Sequence, residues 1–256
     1  MAPNVAFPFL DWPGPIAFAH RGGASEAPEN TMPAFEHAVG LGYRYVETDV
    51  HVTADGELLA FHDDRLDRVT DSTGAISELP WSRVRTALVD GREPIPRFED
   101  LLGTWPELRV NVDPKHDGAV EPLAKAILRT GAVDRVCVGA FSDRRIARLQ
   151  DLVGSDLCTS MGPRQVARLL ASSKRLPGGG GLTSPCAQVP TNQGPVALVT
   201  RSLVTTAHRR GVQVHVWTID ERAEMARLLD LGVDGIMTDR PQVLKELLVE
   251  RGQWHE

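Results

Sequence analysis

The sequence predicts an α/β fold: a (β/α)8 TIM barrel with a small insertion after the second strand. Three observations carry that expectation. Short β-like runs alternate with helical patterns from residue 16 almost to the C-terminus, which suggests a parallel sheet with crossover helices. Several of the runs place valines on one side and polar residues on the other, the period-two pattern of a strand between two unlike layers. The length, 256 residues, is typical of one such barrel and suffices to bury a substantial core.

The elements follow in order. Ile16–His20 reads as the first strand. Asn30 or Thr31 can cap the helix after it, with Pro33 in the first turn and Phe35, Ala38 and Val39 at helical spacing. Gly40 and Gly42 end that helix. Tyr45–Val52 is the second strand, with a β-like extension over Glu57–His62. Val110–Asp113 is the third, followed by a helix over about Val120–Arg129. Arg135–Gly139 is the fourth, with Ile146–Leu152 part of its helix, and Asp156–Ser160 the fifth, followed by Arg164–Ser172. Cys186–Val189 is the sixth, with a helix over Ser202–Arg210. Gly211–Thr218 is the seventh, and Asp220 can cap a helix that carries Met225, Leu228 and Leu229 on one face. Gly235–Met237 is the eighth, and Asp239 can cap the last helix, with Pro241 in its first turn.

Two segments break the rhythm. Asp63–Arg97 is a long excursion between strands two and three, and Leu176–Pro185, with four consecutive glycines, reads as a loop. No internal repeat or linker divides the chain, so the expectation is one domain over residues 1–256 with an inserted subdomain at about 63–97.

Composition narrows the function classes. The chain is 42% hydrophobic and 24% charged, ordinary for a soluble enzyme. A net charge of −6 supplies no basic field to collect nucleic acid or an anionic membrane. Cys137, Cys158 and Cys186 are odd in number, distant in sequence and without a CxxC pair, which argues against a disulfide framework or a cysteine zinc site. Residues 1–15 lack a basic leading region and are interrupted by Pro8, Asp11 and Pro13, so they read as an arm covering one barrel end rather than a signal peptide. No apolar run is as long as a transmembrane segment, and a cytoplasmic enzyme is the expectation.

Alternation locates the chemistry. In strand two Val46, Val50 and Val52 share one side and Glu47, Asp49 and His51 the other; strand three sets Val110 and Val112 against Asn111 and Asp113. Strand seven sets Val212, Val214 and Val216 against His215 and Trp217. Helices cover the outside of a barrel, so the valines should face out and the polar residues in, and active sites form where barrel strands end. His20, Glu47, Asp49, Asp113 and Trp217 all lie near strand ends. A single inward carboxylate pairs with an arginine about as often as it serves a function. Three converging carboxylates are different: they favour a hard divalent cation, Mg2+ or Ca2+ rather than Zn2+. Most of the eight histidines should be surface or structural, and the glycine run, without a following GK[ST] or GxGxxG context, is a plain loop.

The ordered fragments resemble a known family. They are His20-Arg21-Gly22, Pro28-Glu29-Asn30-Thr31, Glu47-Thr48-Asp49-Val50, Thr53-x-Asp55-Gly56, His62-Asp63, Leu66-x-Arg68-Val69-Thr70 and Ser72-Thr73-Gly74. Asp113-x-Lys115, Gln188-Val189-Pro190, Val216-Trp217-Thr218, Asp234-Gly235 and Thr238-Asp239-Arg240-Pro241 continue the series. Each alone is weak, but the set, spanning about residues 16 to 248, resembles the signature of glycerophosphodiester phosphodiesterases. The resemblance implies metal-dependent hydrolysis of a small-molecule glycerophosphodiester to glycerol 3-phosphate and an alcohol. It implies His20 and His62 as the general acid–base pair and Glu47, Asp49 and Asp113 as ligands of the divalent metal. It further implies that Arg21 and Lys115 neutralise phosphate, that Glu29 lines the pocket, and that Trp217 walls the alcohol side. The excursion would stand over the barrel mouth and help select substrate.

Two positions depart from the family pattern. Asp113 stands where glutamate is usual, one methylene short, which bears on metal affinity; Arg97 stands where threonine is usual. The rival readings are a phosphodiesterase acting on lysophospholipids in the manner of a lysophospholipase D, a non-catalytic barrel binding protein, and a different metal-dependent barrel enzyme such as an aldolase. Retention of both histidines and all the acids argues against the last two.

Overall fold

A computed structural model describes residues 7–256. Eight parallel strands form the wall: β1 (Ile16–His20), β2 (Tyr45–Val52), β3 (Arg109–Pro114), β4 (Val136–Val138), β5 (Cys158–Thr159), β6 (Cys186–Pro190), β7 (Gln213–Trp217) and β8 (Gly235–Thr238). They pair in the order β5-β4-β3-β2-β1-β8-β7-β6. A parallel bridge between Ser160 and Cys186, with Met161 N donating to Cys186 O at 2.9 Å, joins the two ends and closes the barrel.

Around it stand α1 (Met32–Gly40), α2 (Phe98–Thr104), α3 (Val120–Arg129), α4 (Asp143–Val153), α5 (Pro163–Ser173), α6 (Arg201–His208), α7 (Arg222–Leu231) and α8 (Pro241–Glu250). Val46, Val50, Val110, Val112, Val214 and Val216 pack outward in one buried cluster with helix residues such as Phe35, Leu123, Leu203, Leu228 and Leu248. The predicted faces of β2, β3 and β7 therefore hold: apolar toward the helices, polar toward the axis.

Local chemistry sets the helix starts. Thr31 caps α1, its hydroxyl accepting from Ala34 N at 3.4 Å; Ser142 and Thr200 cap α4 and α6 in the same way. Two predicted caps are not caps. Asp220 accepts instead from Thr238 Oγ1 at 3.0 Å and from Asp239 N at 2.8 Å, and α7 starts after Glu221. Asp239 turns to His20, and α8 starts after Arg240. The sequence reading also passed over α2, although Phe98, Leu101 and Leu102 show helical spacing, and the small exposed hairpin Asn192–Gln193 with Val196–Ala197.

The N-terminal end of the barrel is filled. Phe9 and Leu10 are buried; Tyr45 Oη donates to Phe9 O at 2.8 Å, and Gln213 Nε2 to Leu10 O at 3.1 Å. The predicted arm thus covers this end over Phe7–Pro15, while residues 1–6 lie outside the described residues. Inside, Cys137, Cys158 and Cys186, distant in sequence, come together as free buried thiols whose sulfurs all lie within 4.8 Å of one another. They share this layer with Ile16, Phe18, Tyr45 and Met237. No described helix is long and apolar enough to cross a membrane.

The excursion packs Leu66, Ile76, Val84, Ala87, Val89 and Ile95 against Leu59 and Phe61 of the segment before it, in a cluster separate from the barrel's. It is tied to the barrel by Leu58–Ala60, antiparallel to β2, with Leu59 opposite His51 and Arg97. Arg97 precedes α2 without capping it and pairs with Asp100 of its first turn.

Candidate active site

Strand register assembles the site. His20 ends β1 opposite Glu47 of β2; Glu47 lies opposite Asn111 of β3, and Asp49 opposite Asp113. A cavity of about 540 Å3 opens at these strand ends. Its polar side carries His20, Arg21, Glu47, Asp49, His62, Asp113 and Lys115. Asn111 and Gln188 form part of its floor, with Gln188 Nε2 donating to Asn111 Oδ1 at 2.7 Å.

Each candidate histidine leans on a carboxylate. His20 Nδ1 lies 2.6 Å from Asp239 Oδ1, and His62 Nδ1 lies 2.6 Å from Asp63 Oδ1. An ionised carboxylate only accepts hydrogen bonds, so Nδ1 carries the proton in both rings and Nε2 is the exchangeable position. His20 Nε2 lies 3.6 Å from Glu47 Oε2. Burial pushes the His20 pKa down, but the charge of Glu47 and the bond to Asp239 outweigh it, and the net shift is upward.

The acids are held among cations. Lys115 Nζ is 2.5 Å from Asp49 Oδ1 and 3.0 Å from Asp113 Oδ2; Arg21 Nε is 3.3 Å from Asp49 Oδ2. Burial first, then the charge of Asp49, pushes the Glu47 carboxyl up to about 7. Burial likewise pushes the Asp113 carboxyl up from its ordinary value. Glu47 Oε2, Asp49 Oδ2 and Asp113 Oδ1 are buried without a hydrogen-bond partner. One orphaned hard oxygen on each of three neighbouring carboxylates is the donor set that a divalent hard cation satisfies, so these residues fit such an ion. They are spread more widely than the cysteines, the one set of three or more such groups among the described residues whose ligand atoms all lie within 4.8 Å of one another.

The opposite side of the cavity is apolar. Phe141, Met161, Pro163, Val166, Leu170, Leu198 and Trp217 line it, and the Phe141 and Trp217 rings meet edge to face at 5.7 Å.

Of the residues singled out in the sequence, His20, His62, Arg21, Lys115, Trp217, Glu47, Asp49 and Asp113 all line this one cavity. Glu29 is outside its lining; its carboxylate faces Arg21 at 3.1 Å and Arg68 at 2.7 Å. Sequence reasoning missed the support given by Asp239 and Asp63, and the floor made by Asn111 and Gln188. For Asp239 the signal was its place at the C-terminal end of β8, where barrel enzymes carry their chemistry. For Asn111 it was the inward face it shares with Asp113.

Comparison with known proteins agrees with this geometry. The sequence pattern of the glycerophosphoryl diester phosphodiesterase family matches residues 20–243. The chain is 41% identical, over 99% of its own length and 97% of the relative's, to "Probable glycerophosphodiester phosphodiesterase 2" of Mycobacterium tuberculosis. A solved Silicibacter pomeroyi structure superposes with a TM-score of 0.81 at 21% identity, covering 97% of this chain and 100% of that one. An Oleispira antarctica phosphodiesterase, solved with its product sn-glycerol-3-phosphate, does so with a TM-score of 0.76 at 21% identity, covering 92% and 97%.

Proposed function

We propose, from the premise that the chain belongs to the glycerophosphoryl diester phosphodiesterase family and is a phosphoric diester hydrolase, that it cleaves glycerophosphodiesters to glycerol 3-phosphate and an alcohol by metal-dependent histidine acid–base catalysis. The observation that carries this reading is the meeting of three orphaned carboxylate oxygens with two carboxylate-backed histidines around one cavity.

Glu47, Asp49 and Asp113 would hold the cation, Mg2+ or Ca2+, with Asp113 reaching one methylene less far than a glutamate. When bound, such an ion polarises a phosphoryl oxygen and offsets the charge that builds in the transition state. The remaining work belongs to side chains. Arg21 and Lys115 bring two positive charges to the diester, whose own charge otherwise repels a nucleophile. His20, whose pKa Glu47 and Asp239 raise, gives its Nε2 proton to the leaving alkoxide. His62, with Nε2 free, takes the proton of the attacking oxygen. Asp239 and Asp63 keep both rings in the required tautomer. Trp217 and Phe141, whose rings meet edge to face, would wall the alcohol side.

The test is a panel of glycerophosphodiesters differing in the alcohol, assayed for glycerol 3-phosphate. Release from at least one member, abolished by chelation, is expected; no release from any member would sink the proposal. The apolar wall opposite the acids favours a second reading, hydrolysis of lysophospholipids, since an acyl chain can lie along Met161, Val166, Leu170 and Leu198. Faster turnover of a lysophospholipid than of its deacylated counterpart would favour it.

A further inference from the structure

Arg68 projects from the excursion and takes no part in the chemistry described so far. Its turn is anchored in the excursion's apolar cluster: Leu66 is buried, and Leu66 O accepts from Thr70 N at 3.1 Å and from Thr70 Oγ1 at 2.8 Å. From there the guanidinium makes two forks. Nε and Nη2 donate to Asp63 Oδ2 and Oδ1 at 2.5 and 3.0 Å. Nη1 and Nη2 donate to Glu29 Oε2 and Oε1 at 3.0 and 2.7 Å. Both carboxylates are already engaged on the site side. Asp63 Oδ1 backs His62, and Glu29 Oε1 accepts from Arg21 Nη1 at 3.1 Å, while Arg21 Nε faces Asp49. A continuous array therefore runs from His62 through Asp63, Arg68 and Glu29 to Arg21.

We propose that Arg68 is a positioning residue: the excursion uses it to fix Asp63 behind His62 and Glu29 behind Arg21, so that one proton-transfer group and one phosphate-binding group are set by a single planar cation. Without it the two carboxylates would repel each other, and Asp63, partly open to solvent, would be free to leave His62. Planarity matters, because two bidentate contacts at once need the fork of an arginine; an ammonium is a point charge and cannot make both. The ionisation of Asp63 agrees: the Arg68 contact holds its carboxyl down to about 2. The duller alternative is a surface ion pair. Arg68 is about half exposed, and such pairs add little to stability and nothing to turnover.

The inference rests on the proposed activity, and the test separates the two. In kinetics, Arg68→Lys and Arg68→Ala should each lower kcat about 10- to 100-fold through the misplaced His62 and raise KM about three- to tenfold through the loosened Arg21, because the array sets one proton-transfer group and one phosphate-binding group. Added guanidinium should restore part of the Arg68→Ala loss. Combining Arg68→Ala with Asp63→Asn should be no worse than the poorer single variant, since both break one array. Arg65→Ala, at a neighbouring exposed pair, should behave as wild type. Wild-type kcat in Arg68→Lys, or additive losses in the double variant, would overturn the proposal. The second arm needs no activity: carbon NMR of the Asp63 carboxyl should titrate well below the ordinary aspartate range in wild type and return to it in Arg68→Ala. An unchanged titration would equally overturn it. An inactive wild-type enzyme that still shows the shift would instead count against the proposed reaction and leave the array standing.

Discussion

His20 and His62 each offer Nδ1 to a carboxylate, so the two rings present the same tautomer and differ in what surrounds Nε2. On that account His20→Ala and His62→Ala should each lower kcat by roughly 10²–10⁴, measured at saturating diester, and the pair together should be little worse than the poorer single. Asp239→Asn should lower kcat while leaving KM nearly unchanged, because it releases the His20 ring without removing it. His208 provides the contrast: it is exposed, pairs with Asp234 and lies outside the cavity, so His208→Ala should keep full activity. His215 answers a different question. It is fully buried beneath the site, against Gln188 and Gln213, and burial lowers its pKa below 6.5. A depressed folded-state pKa means that the neutral ring stabilises the fold above pH 6.5. That contribution is lost as pH falls from 6.5 toward the folded value, with a slope of at most about 1.4 kcal/mol per pH unit. Denaturant titrations at pH 7 and 5 should show this loss, and His215→Gln should reduce it. At this scale the sequence was readable wherever alternation applied: Glu47, Asp49, Asp113 and His215 follow from the period of two in β2, β3 and β7. Asp239 was read as a helix cap because a carboxylate before proline fits that role locally; only the fold brings His20, 219 residues away in sequence, within 2.6 Å of it.

Among the elements, the loop from β1 to α1 shows how backbone geometry serves the site. Arg21, at φ 52°, and Gly22, at φ 82°, turn the chain immediately after His20. A Cβ at Gly22 would stand 2.7 Å from the Ala34 Cβ and 2.8 Å from the Ala34 carbonyl carbon, both in α1. Gly22→Ala should therefore cost more than about 1 kcal/mol of stability, combining left-handed strain with overpacking, and should also weaken diester binding by displacing Arg21. Calorimetry and KM measured on the same variant check both halves. The excursion was recognisable as an interruption of the β/α rhythm. Its contact with the barrel was not, because Arg68 meets Glu29 across 39 residues of sequence. The eight barrel strands were legible as short apolar runs between turns. The hairpin Asn192–Gln193 with Val196–Ala197 carried no such signal: its residues are exposed, and two-residue strands show no alternation.

Over the whole molecule, one end of the barrel is made for stability and the other for chemistry. The N-terminal end is packed with Phe9, Leu10, Phe18, Tyr45 and the three thiols, whereas among the described residues the C-terminal end holds most of the buried side-chain polar atoms that lack a hydrogen bond. Of the five buried side-chain atoms without a hydrogen bond among the described residues, four belong to Arg21, Glu47, Asp49 and Asp113, although Arg21 Nε and Asp49 Oδ2 lie 3.3 Å apart as an ion pair. Such atoms are costly in a protein interior, and their concentration at the mouth fits the proposed site for a cation and an anionic substrate. The central claim is that the barrel mouth works only with a divalent cation held by those acids. The most direct measurement is diester turnover by enzyme stripped with a chelator, then repeated with Mg2+ or Ca2+ added back, in wild type and in Glu47→Gln, Asp49→Asn and Asp113→Glu. The account predicts no turnover in stripped enzyme and recovery in wild type. It predicts no recovery in Glu47→Gln or Asp49→Asn, and recovery at equal or lower metal concentration in Asp113→Glu. Full turnover by the metal-free enzyme would contradict it.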